Sequence, residues 1–255
     1  MTNLTLMTRI YNSHQLRQMD TIIADLIEGL DVQVAVIGTL ANRWVQVEVS
    51  GEDEGIATKL FERDMGFCPV KLANVKKFAS LKGYLVGFEK NKEELTLDIG
   101  VVEPVPVHAV IPLKHLQTNL AGGTKLLLNQ LGEMWGFSDN LPMQIKVLNV
   151  NAGENQVEAQ LQDSQLKMFE RWRDSLLDRL LVVGASRAEV DEAILQGGID
   201  RDVIEVEDLG TFEHALVCKL GTDAAGLIGA IGRMLRKAKF TVFNPKRIPR
   251  AWASG

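Results

Sequence analysis

The 255-residue chain has 46% hydrophobic and 24% charged residues, an ordinary globular composition that supports two or three domains rather than one. No stretch is long and apolar enough for a membrane helix, and the N-terminus lacks the basic-then-apolar pattern of a signal peptide, so we expect a cytosolic protein. The two cysteines, Cys68 and Cys218, have no cysteine or histidine neighbours. This disfavours disulfides or a cysteine zinc site and predicts two small buried side chains.

Residues 1–78 have the pattern strand, helix, strand, strand, helix. Alternating apolar residues predict the strands, and apolar residues at three- and four-residue steps predict the helices. The order βαββα predicts a ferredoxin-like or related sandwich with helices on one sheet face. The predicted elements are a strand at 4–10, a helix capped by Ser13 and ending near Gly29, strands at 32–36 and 45–49, and a second helix over Ile56 to Phe61, preceded by an N-cap pattern at Ser50 and Asp53.

Residues 79–163 have a different pattern, which predicts short strands separated by turns. One helical insertion, residues 118–138, interrupts them, with a helix expected from Thr124 to Met134 and closed by Gly136. Five short strands with one helical insertion predict an OB-type barrel. The predicted strands are 82–88, 95–99, 107–111, 144–150 and 156–161.

Residues 164–255 predict a second small α+β domain with a basic tail. A capping box at Ser186 and Glu189 marks the start of its second helix. The whole chain is therefore of the α+β class, with a βαββα sandwich, a central barrel and this C-terminal domain. The predicted elements are helices at 165–180, 186–197 and 224–237 and strands at 203–206, 215–220 and 240–243.

Charge is distributed unevenly along the chain. No acidic residue follows Asp223, but seven cations do, so this stretch carries +7 and the net charge of -5 leaves -12 for residues 1–223. Such asymmetry suggests contact with a polyanion. The alternative interpretation is a solvated basic helix end followed by an exposed tail. The seven cations are Arg233, Arg236, Lys237, Lys239, Lys246, Arg247 and Arg250.

Three pieces of the barrel segment resemble, in order, the ribosomal S-one type RNA-binding domain. They are the hairpin from Lys82 to Ile99, the stretch Ala109–Leu116, and residues 143–161. Barrels of this type bind single strands through a positive groove and aromatic rings that stack on bases. The resemblance thus implies RNA contacts on one barrel face. The candidate contact residues are Lys82, Tyr84, Phe88 and Lys114.

The same segment departs from that domain at two positions. Thr96 stands where the domain usually presents an aromatic residue, and Pro112 stands where histidine is common. If β-strand alternation holds, Tyr84 and Phe88 share one face, and that face is either a binding surface or barrel core. The sequence leaves both alternatives open.

A glycine-bearing turn, Gly221 to Ile228, leads into the last predicted helix. It is similar to the Asp-x-x-Gly-Leu turn of ACT-type regulatory domains, which implies a small-molecule site at Thr222, Asp223 and Gly226. The alternative is that Asp223 caps the helix and the glycines permit close packing. Both interpretations remain open at this stage.

The sequence contains no recognisable catalytic constellation. It has no H-E-x-x-H pair among its four histidines and no G-x-S-x-G elbow, and its carboxylate clusters read as solvated surface. We therefore predict no catalytic residue, no metal site and no cofactor, and a protein that is not an enzyme.

Nearly the whole chain is similar to an uncharacterised archaeal family, domain of unknown function number 2110. The residues that carry the resemblance are Val47–Asp53, the Gly83–Gly100 hairpin, Ile111-Pro112, Leu141-Pro142, Val203–Leu209, Leu216–Asp223 and Gly226-Leu227-Ile228. The resemblance implies an archaeal cytosolic protein with an S-one-like central domain and no known activity.

These observations favour a non-catalytic RNA-binding protein, in which the barrel and the basic C-terminal segment contact single-stranded or structured RNA. One alternative is a sensor of amino acids or nucleotides that uses the Thr222 turn. Another is an interaction adaptor with exposed contacts at Trp135, Phe137 and Trp252, with the core as an equal alternative for Trp135. No membrane contact is expected, and the sequence leaves the oligomeric state open.

Overall fold

The computed structural model describes residues 1–249 and 252, and its first domain is an antiparallel sheet covered on one face by two helices. The strands lie in the order β1-β3-β2, and Val45, Val47 and Val49 point from the central strand into the core beneath the helices. The predicted order βαββα is confirmed. The elements are β1 (Thr2–Arg9), α1 (Ser13–Leu26), β2 (Val32–Thr39), β3 (Trp44–Gly51) and α2 (Glu54–Asp64).

The start of α1 differs from the prediction by one residue. Asn12, not Ser13, is the cap: its side-chain oxygen accepts hydrogen bonds from the backbone N–H groups of His14 and Gln15. Gln15 in turn accepts from the backbone N–H of Asn12, which completes a capping box. Asparagine is as good a cap as serine, so position alone could not separate the two.

The central domain is a closed barrel of five strands, as predicted. Strand β5 pairs with β6 and β8, β7 pairs with β6 and β9, and β8 pairs with β9; only β7 and β9 run parallel within this ring. The insertion holds two helices rather than the single one expected. The elements are β4 (Val70–Lys71), β5 (Ser80–Leu85), β6 (Glu94–Glu103), β7 (Val107–Pro112), α3 (Leu113–Ala121), α4 (Leu128–Trp135), β8 (Pro142–Asn151) and β9 (Gln156–Leu161).

The C-terminal part is a helix followed by a four-stranded antiparallel sheet in the order β11-β12-β10-β13. The helix predicted over Gln165–Leu180 ends at Asp174, and Leu180 lies instead in a strand that the sequence did not reveal. The elements are α5 (Asp163–Asp174), β10 (Arg179–Val183), α6 (Arg187–Gln196), β11 (Val203–Asp208), β12 (Glu213–Cys218), α7 (Ala224–Ile231) and β13 (Lys239–Phe243).

The first and last domains share one topology. From β10 to β13 the chain reads βαββαβ with the strand order of the ferredoxin-like fold. The N-terminal sheet has the same order without a fourth strand. At the place where that strand would pair with β1, a single antiparallel bridge joins Leu6 and Phe67. The fourth strand of the N-terminal domain is thus reduced to one bridge.

The three domains share buried contacts. Helices α6 and α7 cover one face of the C-terminal sheet, while Leu181 and Phe243 on the other face belong to the same apolar core as the barrel strands. Trp172 of α5 packs against Phe243 with ring centroids 5.3 Å apart. Phe212, just before β12, is buried in the core of the N-terminal domain. None of the described helices combines the length and apolarity needed to cross a membrane.

Candidate nucleic-acid interface

Three of the predicted C-terminal cations surround one concave surface, which we call the basic cleft. Arg233, Arg236 and Lys237 line it from the turns after α7, and His14 lines it from the first turn of α1. All four side chains are exposed, and the cleft has a volume of about 370 Å³. Lys239 is also exposed and begins β13 two residues later. Helix α1 and the turns after α7 therefore meet at a positively charged surface.

Gly184 lies where helix α1 and the turns after α7 meet. Gly184 has φ +98°, and a Cβ there would lie 3.5 Å from the Tyr11 ring and 3.6 Å from the Lys237 carbonyl oxygen. The Gly184 carbonyl also accepts a hydrogen bond of 2.9 Å from the buried Gln15 side chain. These contacts hold the start of α1 against the C-terminal domain, and with it His14 beside the cations.

The acidic group that lines the basic cleft is already engaged. Glu189 Oε2 accepts hydrogen bonds from the backbone N–H of Ser186 at 2.8 Å and from its hydroxyl at 3.1 Å, which confirms the predicted capping box. Among the described residues, no ion pair includes Arg233, Arg236 or Lys237. Their charges therefore remain open to a ligand in solvent.

The remaining tail cations lie elsewhere. Lys246 and Arg247 form a 3-10 turn after β13, at the opposite end of that strand from Lys239. They face Asp178, whose pKa burial raises while these two cations oppose the rise. Arg250 lies outside the described residues. The six cations that the structure describes therefore do not build one continuous surface, and Lys246 and Arg247 are partly balanced by a carboxylate of the protein itself.

Tyr84 and Lys82 do not lie on an open barrel face. Tyr84 is fully buried, and its hydroxyl lies 3.2 Å from the Met7 carbonyl oxygen and 3.3 Å from Glu213 Oε2. Its ring meets Trp44 edge-on at 5.3 Å. Lys82 is half-buried, 5.8 Å from that same tyrosine ring. Of the two alternatives for this face, binding surface or core, Tyr84 takes the core one because the N- and C-terminal domains cover it.

Glu213 is the charged centre of this three-domain junction. Tyr11 donates a hydrogen bond to its Oε1, and Tyr84 lies beside its Oε2. Burial raises the pKa of Glu213 to about 7, while the Tyr11 hydrogen bond and the Lys82 charge oppose that rise. Burial likewise lowers the pKa of Lys82, which the Glu213 charge opposes. The junction thus holds a carboxyl group that ionises near neutral pH.

The other two barrel candidates are also separate from the basic cleft. The half-buried Phe88 packs edge-on against Phe137 at 6.2 Å and fills the space over Gly132, where a Cβ would collide with its ring. Phe88 therefore acts as part of the packing around α4. Lys114 is exposed in the first turn of α3, on a helix that contributes no residue to the basic cleft.

OB-type barrels and ferredoxin-like domains each have a usual surface for single-stranded nucleic acid, and neither surface is available for base stacking in this protein. OB-type barrels use the face of their second and third strands, here β6 and β7. On it, Asp98 is buried beneath the N-terminal domain, 2.9 Å from Asn42 Nδ2, and Thr96 bonds to Asn91. The ferredoxin-like sheet face used by RNA-recognition domains is buried against the barrel.

The turn at Thr222 is organised by its own hydrogen bonds. The Asp223 side chain accepts from the Ala225 N–H at 3.1 Å and so caps α7, and the Thr222 hydroxyl lies 3.4 Å from Asp202 Oδ1. A Cβ at Gly226 would meet nothing within 4 Å. The cap interpretation is confirmed, whereas close packing does not explain Gly226.

The tryptophan and phenylalanine considered for an adaptor role lie in the core. Trp135 is 2% exposed and Phe137 is 4% exposed, so Trp135 takes its core alternative and the prediction of an exposed contact at Phe137 is wrong. Trp135 ends helix α4 and Phe137 follows two residues later, and each ring packs on Phe169 of α5. Trp252 is half-buried, and its carbonyl oxygen lies 3.4 Å from Arg173.

A larger cleft separates the N- and C-terminal domains; we call it the interdomain cleft. Its volume is about 730 Å³, and Ile22 and Leu26 of α1 with Met65 form its apolar wall. On the opposite wall, Arg187 pairs with Asp191 and Asp208 at 3.0 and 3.2 Å. Sequence reasoning missed this cleft because its two walls are more than 120 positions apart in the chain.

His214 lies buried at the base of the interdomain cleft. Its Nδ1 is 2.8 Å from Asp208 Oδ1 and its Nε2 is 3.1 Å from the Ala185 carbonyl oxygen. Burial lowers the pKa of His214, and Asp208 opposes that effect. Across residues 1–249 and 252, no group of three or more His, Cys, Asp or Glu side chains is arranged to hold a metal ion. Cys68 and Cys218 are buried and unpaired.

The fold and these surfaces define a three-domain α+β protein built around an OB-type barrel. The chain belongs to the DUF2110 family, whose N-terminal, central and C-terminal domain models match residues 3–69, 75–173 and 177–243. No protein with a curated description matches the sequence. A solved structure of an uncharacterised protein from Methanocaldococcus jannaschii is similar over 35% of this chain and 95% of its own, at 11% identity and a TM-score of 0.24.

Proposed function

We propose that this protein binds RNA without catalysing a reaction, and that the basic cleft is its main contact with the phosphate backbone. The observation that carries the proposal is the grouping of Arg233, Arg236 and Lys237 around one concavity, with no ion pair to a described residue. Cations fixed on a rigid surface attract polyanions and release their counterions. This function fits a chain whose net negative charge lies elsewhere.

The barrel has a different role in this proposal from the one expected of an S-one-like domain. Its Tyr84 and Lys82 join the three domains, so the barrel sets the relative positions of the surfaces that contact RNA. We further propose that the protein acts in the cytoplasm, an environment that suits two unpaired cysteines.

Fluorescence anisotropy with a labelled single-stranded RNA at two salt concentrations tests the proposal. We expect the triple variant Arg233→Glu, Arg236→Glu and Lys237→Glu to bind roughly 10- to 100-fold more weakly than the wild type. Each lost phosphate contact should reduce the log-log salt slope by about 0.7, so the slope should fall by about 2.

A matched triple variant controls for net charge. Lys59→Glu, Lys92→Glu and Lys125→Glu change the charge by the same amount at exposed positions outside the basic cleft and should leave the salt slope nearly unchanged. Equal losses in both triple variants would mean that net charge, not the cleft, drives binding. Wild-type affinity weaker than about 100 μM at low salt would refute RNA binding itself.

A second candidate function is small-molecule sensing in the interdomain cleft. We propose it because a volume of about 730 Å³ lies within the usual range of ligand sites, about 300–1,000 Å³. The apolar wall at Ile22 and Leu26 and the carboxylate of Asp25 suit a ligand with an apolar body and an amine. This cleft replaces the Thr222 turn as the candidate sensor site.

A thermal-shift screen of amino acids, amines and nucleotides tests the second candidate. A ligand at 100 times its dissociation constant adds about 2.7 kcal/mol of stability. Ile22→Trp, which fills the apolar wall, should abolish the shift and leave RNA affinity unchanged. A screen with no shift, or an equal shift in the filled variant, would argue against a site in this cleft.

A further inference from the structure

Phe78 is an aromatic side chain in solvent. It is 62% exposed, whereas every other Phe, Tyr and Trp of the described residues is buried or half-buried. It lies just before β5, on the outside of the barrel, and has no role in the junction or the basic cleft. Single exposed apolar side chains are common on protein surfaces, so the meaning of this ring depends on its backbone conformation and its neighbours.

The backbone at Phe78 adopts an unfavourable conformation that directs the ring outward. Phe78 has φ +68°, in the left-handed region that bulky residues avoid. Its N–H nevertheless donates to the Val147 carbonyl oxygen at 2.8 Å, and Val147 N–H donates to the Ala79 carbonyl oxygen at 2.9 Å. A further bond of 3.1 Å, from Ala79 N–H to the Lys76 carbonyl oxygen, closes the turn. Strand β8 thus fixes an unfavourable conformation that presents the ring to solvent.

Two ammonium groups accompany the ring. Lys77 Nζ lies 5.1 Å and Lys146 Nζ 6.0 Å from the Phe78 ring centroid. Lys146 reaches it from β8, where its neighbours across the sheet are the neutral residues Ser80 and Gln160. Neither lysine forms an ion pair with a described residue. We call Phe78, Lys77 and Lys146 the Phe78 platform.

We propose that the Phe78 platform is a second contact site for single-stranded RNA, in which Phe78 stacks on one base and the lysines contact the flanking phosphates. An aromatic face beside cations is the combination by which proteins hold single strands without reading their sequence. A protein partner would need a larger apolar area than one ring provides. The inference rests on the proposed RNA-binding function and adds a base contact that the basic cleft lacks.

The platform differs in place from the usual face of OB-type barrels. That face belongs to β6 and β7, whereas Phe78 precedes β5 and Lys146 lies on β8. The position of the site therefore follows from this structure and not from the resemblance to S-one-like domains.

An RNA that carries 2-aminopurine, a fluorescent base quenched by stacking, tests the platform in the full-length protein. We expect quenching on binding to the wild type and to Phe78→Trp. We expect little quenching with Phe78→Ala, and affinity weaker by roughly 10-fold, the effect of losing one aromatic stack. Lys77→Glu with Lys146→Glu should weaken binding and lower the salt slope by about 1.4.

A control variant and the basic-cleft triple variant distinguish failure of the Phe78 platform from failure of the proposed RNA binding. Leu195 is 70% exposed on α6, so Leu195→Ala removes a comparable apolar side chain and should bind like the wild type. If the wild type binds RNA and the basic-cleft variant does not, unchanged affinity and quenching in Phe78→Ala would overturn the platform alone. If the wild type binds no RNA, the proposed function and the platform both fail.

Discussion

Replacing Glu213 with glutamine should flatten the pH dependence of the protein's stability. Burial raises the pKa of this carboxyl group from 4.5 to about 7. A group with a higher pKa in the folded state stabilises the fold fully below its unfolded pKa, and that contribution is lost as pH rises through its folded pKa. The free energy of unfolding of the wild type should therefore fall between about pH 4.5 and pH 7.

The size of the effect follows from the rise in pKa. A change from 4.5 to about 7 corresponds to about 3 kcal/mol over that window. Glutamine does not ionise, so the variant lacks this loss. His214 acts in the opposite direction: burial lowers its pKa, so its contribution is present at neutral pH and is lost as the solution becomes acidic. Both proteins retain His214, so their difference isolates Glu213.

Urea unfolding followed by tryptophan fluorescence, at intervals between about pH 5 and pH 8, measures both profiles. Tyr84→Phe is the control, because it removes a hydroxyl group beside Glu213 and leaves the carboxyl group buried. That variant should keep the fall in stability with pH or make it somewhat larger, because the Tyr84 hydroxyl opposes the rise in the pKa of Glu213. Parallel profiles for the wild type and Glu213→Gln would refute the reasoning, since the pH dependence would then arise from other groups.

Three further substitutions test local features of the N-terminal domain by the same urea assay. Asn12→Ala removes the cap of α1 and should cost about 1 kcal/mol; no loss would mean that the cap does not stabilise the helix. Gly51→Ala should cost about 2 kcal/mol, because Gly51 has φ +134° and its new Cβ would lie 2.5 Å from the Asp31 carbonyl oxygen. Gly55→Ala should instead add about 0.5–1 kcal/mol, because the site lies in α2 with open space around it. A stabilising Gly51→Ala or a destabilising Gly55→Ala would contradict this account of the backbone.

The elements that the sequence predicted well bury only one of their faces. Val45, Val47 and Val49 alternate with polar neighbours because β3 has helices on one side only. Strand β10 was missed for the opposite reason: all five of its residues are buried, so no alternation marks it. Leu180 also follows Phe169 and Trp172 at roughly helical spacing, which extended the predicted helix too far.

The candidate site was harder to predict because its geometry depends on contacts distant in sequence. Tyr84 has the residue type and position of a stacking residue, but Met7 and Glu213 from two other domains cover it. The charge distribution along the sequence identified the C-terminal cations. It did not show that Lys246 and Arg247 lie apart from the cations of the basic cleft. Strand β13 has five residues, which places its two ends about 13 Å apart and separates Lys239 from Lys246. The sequence signal that could have pointed to the Phe78 platform is the pair Lys76-Lys77, which directly precedes Phe78.

The burial of the C-terminal sheet against the barrel has a consequence for cooperativity. A fragment that begins at Arg179 would expose Leu181, Ala215 and Phe243 as one contiguous apolar surface, since these residues share the barrel core. Such a surface promotes self-association. The ferredoxin-like domain should therefore aggregate when it is excised, and the intact chain should lose its barrel and its C-terminal sheet in one unfolding transition.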